Sequence, residues 1–198
     1  MFGSAEALTM RLVRLVVVAF LCALPLELPA FTPNEDIVVN VRKEGAGVAI
    51  DVVCPVDAPW QIVWEVLTDY PHMPQFISNI RESVVEEQNG NVLHVRQKGK
   101  ASRGPVTLSY EMLREVELVP QTEIRSRLIS GDLKSSDFVT KIVQLGDRIH
   151  IVNNGRYVPK VWVPPMVGPA MIEAETQKQF GEFRAEILRR SAMSRPQS

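Results

Sequence analysis

Two polar side chains fall in phase with apolar neighbours, and they are where chemistry would start. In 92–101 the residues Leu93, Val95, Gln97, Gly99 and Ala101 share one parity, against Val92, His94, Arg96, Lys98 and Lys100. The second set is mostly charged and turns to water, which places Gln97 on the inward face of a strand. In the next stretch Val106, Leu108, Tyr110, Met112, Arg114, Val116 and Leu118 share a face, so Arg114 also points inward. Ser126 and Ser130 do so more mildly beside Ile124 and Leu128. Burying such groups without partners costs a few kcal/mol each. They must pair with one another, meet water in a cavity, or hold the polar head of a ligand. A structural pair would have Arg114 reaching a carboxylate such as Glu173 or Asp132, and a strand bulge would turn either residue outward.

The same residues set the terms for catalysis. Gln97, Tyr110, Arg114 or His72 would polarise a carbonyl or move a proton only by converging within hydrogen-bond reach of one point. Otherwise the chain offers little. Its three histidines, His72, His94 and His150, lie on separate elements, and no zincin, nucleophile-elbow or phosphate-loop motif is present. No catalytic residue, metal ligand or cofactor is assigned. Cys54 reads as a small buried hydrophobe on a strand, because the other cysteine, Cys22, lies in a segment read as removed.

The 198 residues allow one domain with a sizeable core. Apolar residues make up 45% and charged ones 23%, an ordinary globular composition, and a net charge of -1 gives no reason to expect a nucleic-acid partner. At the amino terminus a basic start, Met10 to Arg14, precedes the apolar run Leu15 to Leu26 and the small residue Ala30. That layout is a secretory signal over residues 1–30. The apolar run is about 12 residues, short of the roughly 20 needed to span a bilayer. An uncleaved anchor is the competing reading, because Leu28 suits cleavage poorly. Either way residues 31–190 form the folded domain outside the cytoplasm, expected in the periplasm, and 191–198 a disordered tail.

The elements that must position Gln97 and Arg114 follow from periodicity. Ile37–Val41 and Val48–Val53 read as a hairpin across Glu44–Gly47. Asp57 is set to cap a short helix with Trp60, Val63, Trp64 and Leu67 on one face, and Asp69 to cap a further helical turn or two between Pro71 and Pro74. From Ile80 the period becomes two through about six strands, with Ile149, Ile151, Asn153, Gly155 and Tyr157 sharing a face on the last. The facing of Phe138 to Leu145 is not readable. A stiff connector with Pro159, Pro164 and Pro165 carries Trp162 and Met166 into a long helix, Val167 to Arg190, whose stripe is Ile172, Phe180, Phe183 and Ile187. The expected architecture is α+β: a curved antiparallel sheet wrapped around the final helix, with two short helices near the start.

This order resembles the START-like helix-grip (SRPBCC) superfamily, which includes Bet v 1-type allergens, polyketide cyclase/dehydrase-like proteins and coenzyme-Q-binding COQ10-type START proteins. The resemblance is carried by Val56-Asp57-Ala58-Pro59, Trp64 through Tyr70, Met73-Pro74-Gln75-Phe76, Gln97-Lys98-Gly99, Arg125 through Asp132 and Trp162-Val163-Pro164-Pro165. It implies a hydrophobic small molecule or lipid held between sheet and helix, with peripheral membrane contact as an accompanying expectation. The candidate ligand-binding positions are Tyr70, Met73, Phe76, Gln97, Tyr110, Met112, Arg114, Ser126, Trp162, Met166 and Met171. An exported, non-catalytic carrier is the leading expectation. A cyclase/dehydratase-like enzyme and an envelope protein-interaction module are the alternatives.

Overall fold

The alternation of apolar and charged residues becomes, in the computed structural model, one eight-stranded antiparallel sheet with the order β1-β2-β8-β7-β6-β5-β4-β3. The structure describes residues 37–103, 106–160 and 168–194. The strands are β1 (Val38–Glu44), β2 (Gly47–Val56), β3 (Ile80–Asn89), β4 (Val92–Arg103), β5 (Val106–Val119), β6 (Glu123–Gly131), β7 (Leu133–Leu145) and β8 (Arg148–Pro159). Between β2 and β3 lie helix α1 (Trp60–Thr68), a 3-10 turn (Tyr70–His72) and the one-turn helix α2 (Met73–Phe76). The chain closes with helix α3 (Gly168–Ser194). This is the helix-grip architecture expected from the sequence. The signal segment, Trp162, Met166 and the last four residues of the tail lie outside the described residues.

Register puts one set of side chains from each strand on the concave face. Ile50, Val52 and Cys54 stand across from Gly155, Asn153 and Ile151, which in turn face Phe138, Thr140 and Ile142 of β7. Ile151, Val52, Cys54, Val95, Val116 and Ile187 are wholly inaccessible to solvent and form the centre of the core. The unreadable facing of β7 is resolved by this pairing: Phe138, Thr140 and Ile142 point in.

Helix α3 packs chiefly on β1, β2, α1 and α2. Of the expected stripe Phe180, Phe183 and Ile187 are buried and Ile172 is half-buried; Met171 is buried in its place, and so is Glu186, a charge that no hydrophobic pattern flags. The helix runs to Ser194, not Arg190. Glu186 accepts hydrogen bonds from Arg189 and Arg190, three and four residues on, which supports the last turns. Ser191, assigned to a disordered tail by sequence, is buried.

The start of α1 also departs from expectation. Pro59, not Asp57, occupies the N-cap position, and no side chain caps the helix. Val63 N–H donates to Pro59 O at 3.2 Å, so the first turn closes on the proline carbonyl.

Two irregularities shape the sheet. β3 carries two register shifts, between Ile80 and Glu82 and between Val85 and Glu87, and β5 against β6 shifts between Leu113 and Arg114. The β6–β7 ladder spans only Glu123–Arg127 against Lys141–Asp137. Beyond it, Leu128–Gly131 continue pairing with β5 and Leu133–Ser136 with β8. The β6–β7 ladder therefore stops short of the turn at Asp132 that joins the two strands.

Candidate functional site

A polar row runs diagonally across the concave face, stepping two residues along the strand from Gln97 to Arg114 and again from Arg114 to Ser126. Ser83 of β3 stands opposite Gln97 of β4, and Arg114 and Ser126 follow on β5 and β6. Because an arginine can only donate, the oxygen of Gln97 faces Arg114: Nη2 of Arg114 donates to Oε1 of Gln97. That leaves the Gln97 Nε2 donors for the other side, where they reach Ser83 Oγ at 3.0 Å and Met73 Sδ at 3.4 Å. Nη1 of Arg114 donates to Ser126 Oγ at 3.3 Å. The third guanidinium position, Nε–H, is buried and has no partner among the described residues. The expected carboxylate pair does not form. Asp132 Oδ2 instead accepts the Glu111 N–H at 2.7 Å, and Glu173 is exposed on α3.

Tyr70 and Tyr110 flank the row. Burial pushes both phenols up, and the Arg114 charge pulls both back, so both lie within its electrostatic reach. Glu175 of α3 adds a small upward push at Tyr110. Tyr110 lies across Gly99, its register partner, and its hydroxyl donates to Asn79 O at 3.2 Å. A Cβ at Gly99 would come within 2.3 Å of the Tyr110 ring and 2.2 Å of Asn79 O, so only glycine leaves room for this ring position.

Away from α3 the concave face keeps accessible surface. Tyr110, Met112, Arg114, Ser126, Leu128, Phe138 and Tyr157 are half-buried. Ser130, expected to face in, is exposed and pairs with Leu113 past the bulge, which turns it to the other face. The apolar part of this surface surrounds the polar row, the usual composition of a small-molecule pocket. Met73, Tyr70 and Met171 are buried at its margin. Phe76 has a different place: its ring meets Phe183 edge-on at 6.1 Å and lies under Arg190 at 5.5 Å, so it docks the α2 corner onto α3.

The histidines stay apart from the row. His72 is exposed and pairs with Asp69 at 2.5 Å, His94 faces outward toward Glu87 and Glu115, and His150 contacts the Arg148 carbonyl. His72 therefore does not converge with Gln97, Tyr110 and Arg114. Among the described residues no group of three metal-ligating side chains comes together.

A cleft of about 440 Å³ opens mainly on the other face of the sheet, lined by Arg42, Asp51, Glu115, Arg125, Asp137 and Arg156, and it also touches Ser126 and Phe138. Many of its charges already satisfy one another, as in Arg42–Asp51 at 2.6 Å, Arg125–Glu117 at 3.3 Å and Arg127–Asp137 at 3.3 Å. The inner row, by contrast, keeps one donor without an acceptor among the described residues.

Three features escaped sequence reading. Ser83 completes the row, but the bulges in β3 scramble its parity. Asn153 and Thr140 form a second inward polar pair, with Asn153 Nδ2 donating to Thr140 Oγ1 at 2.7 Å. Asn153 sits in phase with Ile149 and Ile151, a signal of the same kind that exposed Gln97. Asp69, expected as a cap, instead binds Arg190 at 2.7 Å.

Comparison with known proteins agrees with this fold. Residues 56–183 match the family model described as polyketide cyclase/dehydrase and lipid transport. A search of curated proteins returned no match. Among solved structures, the chain is similar to a STAR-related lipid transfer protein from Xanthomonas axonopodis, with a TM-score of 0.65 and 12% identity over 78% of this chain and 94% of that one. It is also similar to a START superfamily protein from Mycobacterium smegmatis, with a TM-score of 0.61 and 14% identity over 71% and 97% of the two chains. An aromatase/cyclase from a Streptomyces species gives a TM-score of 0.59 and 16% identity over 74% and 94%. At such identities these structures speak for the fold.

Proposed function

The chain belongs to the polyketide cyclase/dehydrase and lipid-transport family, and from that premise we propose that it is an exported, non-catalytic carrier of a lipid or other hydrophobic small molecule. The observation that carries this reading is the accessible concave surface, where half-buried Tyr110, Met112, Leu128 and Phe138 surround the Gln97–Arg114 row. A ligand seated there buries its apolar body against these side chains and meets polar partners at one end. Export is supported by the basic, apolar and small-residue layout of residues 10–30.

An enzyme of the cyclase/dehydratase kind is the second reading, favoured by Gln97, Tyr110 and Arg114 sharing one face. The hydroxyl of Tyr110, however, is already committed to the Asn79 carbonyl, and His72 stands elsewhere. Both facts weigh toward holding over reacting.

Native mass spectrometry of the mature protein purified from its own cell envelope tests the carrier reading. A small molecule retained at defined stoichiometry and released unchanged by organic extraction is expected. Conversion of the extracted compound on return to the protein would replace carriage with catalysis. Amino-terminal sequencing of the same sample reads whether residues 1–30 are removed.

A further inference from the structure

We infer that the molecule held on the concave face is an acid: an amphiphile whose carboxylate is bound by Arg114 while its chain lies against Tyr110, Met112 and Leu128. This rests on the concave face being the ligand site and goes further by fixing the charge of what it takes.

Charge balance motivates it. A guanidinium stays protonated in a protein. Other arginines of the domain with described partners sit on carboxylates: Arg42 on Asp51, Arg96 on Glu86 and Glu111, Arg125 on Glu117 and Glu123, Arg190 on Glu186 and Asp69. Arg114 forms no ion pair among the described residues. Its two described partners are the neutral oxygens of Gln97 and Ser126, and its Nε–H is buried with none among the described residues. A buried charged donor without an acceptor is costly. A neutral carbonyl or hydroxyl would satisfy the N–H but leave the charge uncompensated. A carboxylate does both, and its fit to guanidinium geometry is good.

The site is also held ready. Gln97 cannot swing away without giving up Ser83 and Met73, and it fixes the guanidinium from one side while Ser126 fixes it from the other. Ordering an arginine normally offsets part of what its ion pair contributes. Here the fold has already ordered it.

The test compares two probes of equal chain length, dodecanoate and 1-dodecanol, displacing the neutral dye Nile red from the mature protein. Dodecanoate is expected to displace the dye at least about tenfold more tightly than the alcohol, as a charge-assisted pair is stronger than a neutral one. In Arg114→Gln that preference collapses, the acid then displacing the dye no more tightly than the alcohol. Equal or better binding of the alcohol by the unmodified protein overturns the inference but leaves the concave face as a site. A folded Arg114→Gln variant that keeps its preference for the acid overturns it in the same way. Dye that neither probe displaces, or that does not bind, removes the site and the inference with it. The comparison on the unmodified protein decides the question even if the variant does not fold.

Discussion

Arg190 near the end of the chain donates to Asp69 across 121 positions of sequence, at 2.7 Å. The pair is the centre of a small charged clasp. Arg190 also reaches Glu186 at 2.7 Å and covers the Phe76 ring, Asp69 holds His72, and Glu182 accepts the Ser78 N–H at 2.9 Å. Together these fasten the carboxyl half of α3 to the corner formed by α1, the 3-10 turn and α2.

Breaking the clasp at one point leaves a partly buried charge without its partner. Arg190→Ala is expected to lower stability by roughly 2 kcal/mol, counting the lost Phe76 contact with the lost ion pairs. Arg189→Ala, on an exposed arginine, is expected to cost under about 1 kcal/mol. Urea denaturation of both variants checks the difference, and equal effects would mean that the clasp contributes little.

Acid should loosen the same contact. Hydrogen bonds from Arg189, opposed by burial and helped by Arg190, hold the Glu186 carboxyl down at about 2, against an ordinary value of 4.5. Burial raises the Asp69 carboxyl, but hydrogen bonds from His72 and Arg190 carry it below its ordinary range. Both groups are depressed in the folded state. Their contribution is therefore complete above the unfolded values and is lost as pH falls from about 4.5 toward 2. Glu186 alone contributes on the order of 2 kcal/mol after screening at the exposed Arg189 is allowed for. Thermal unfolding near neutral pH and near about pH 3 should show a smaller acid loss for Glu186→Gln than for the unmodified protein.

Gly99→Ala should be damaging out of proportion to one methyl group. The new Cβ meets both the Tyr110 ring and the Asn79 carbonyl, and backbone gives way less readily than a side chain. A loss of about 2–3 kcal/mol is expected. Tyr110→Ala in the same chain should recover only part of it, because the carbonyl contact remains. Full recovery would show that the ring alone sets the requirement.

Gln97→Glu supplies Arg114 with the carboxylate it lacks. The variant is expected to bind dodecanoate more weakly than the unmodified protein, by about tenfold or more, since the counter-charge is then built in. Gln97→Leu should instead lower stability by about 2 kcal/mol, because it strips an acceptor from a charged donor and a donor from Ser83. Dye displacement and thermal unfolding on the two variants separate a lost counter-ion from a lost hydrogen bond.

Much of this was legible in the order of the amino acids. Gln97 and Arg114 betrayed themselves as polar residues in apolar phase, and the strands that hold them have clean alternation. Their mutual hydrogen bond was not legible, since the register between strands is set by side-chain packing across the whole sheet. The expectation of Glu173 or Asp132 as a partner failed for the same reason: position in sequence does not tell which carboxylate is already occupied. β7 resisted assignment because apolar residues stand on both sides of it, Phe138 and Ile142 inward and Val139 and Val143 outward. Ser83 was hidden by bulges, which shift parity without leaving a distinctive residue behind. Asp57 looked like a cap by type, but the chain closes the helix on Pro59 instead.

Past Arg127 and Asp137 the β6–β7 ladder opens into a wide loop closed by Asp132. Elsewhere, widening the hollow would rupture a row of interstrand hydrogen bonds. Here those bonds are already absent between the neighbours, while each strand stays secured on its far side. Distortion of the cradle at this end therefore costs fewer interstrand bonds, and the strand that carries Arg114 lies beside it.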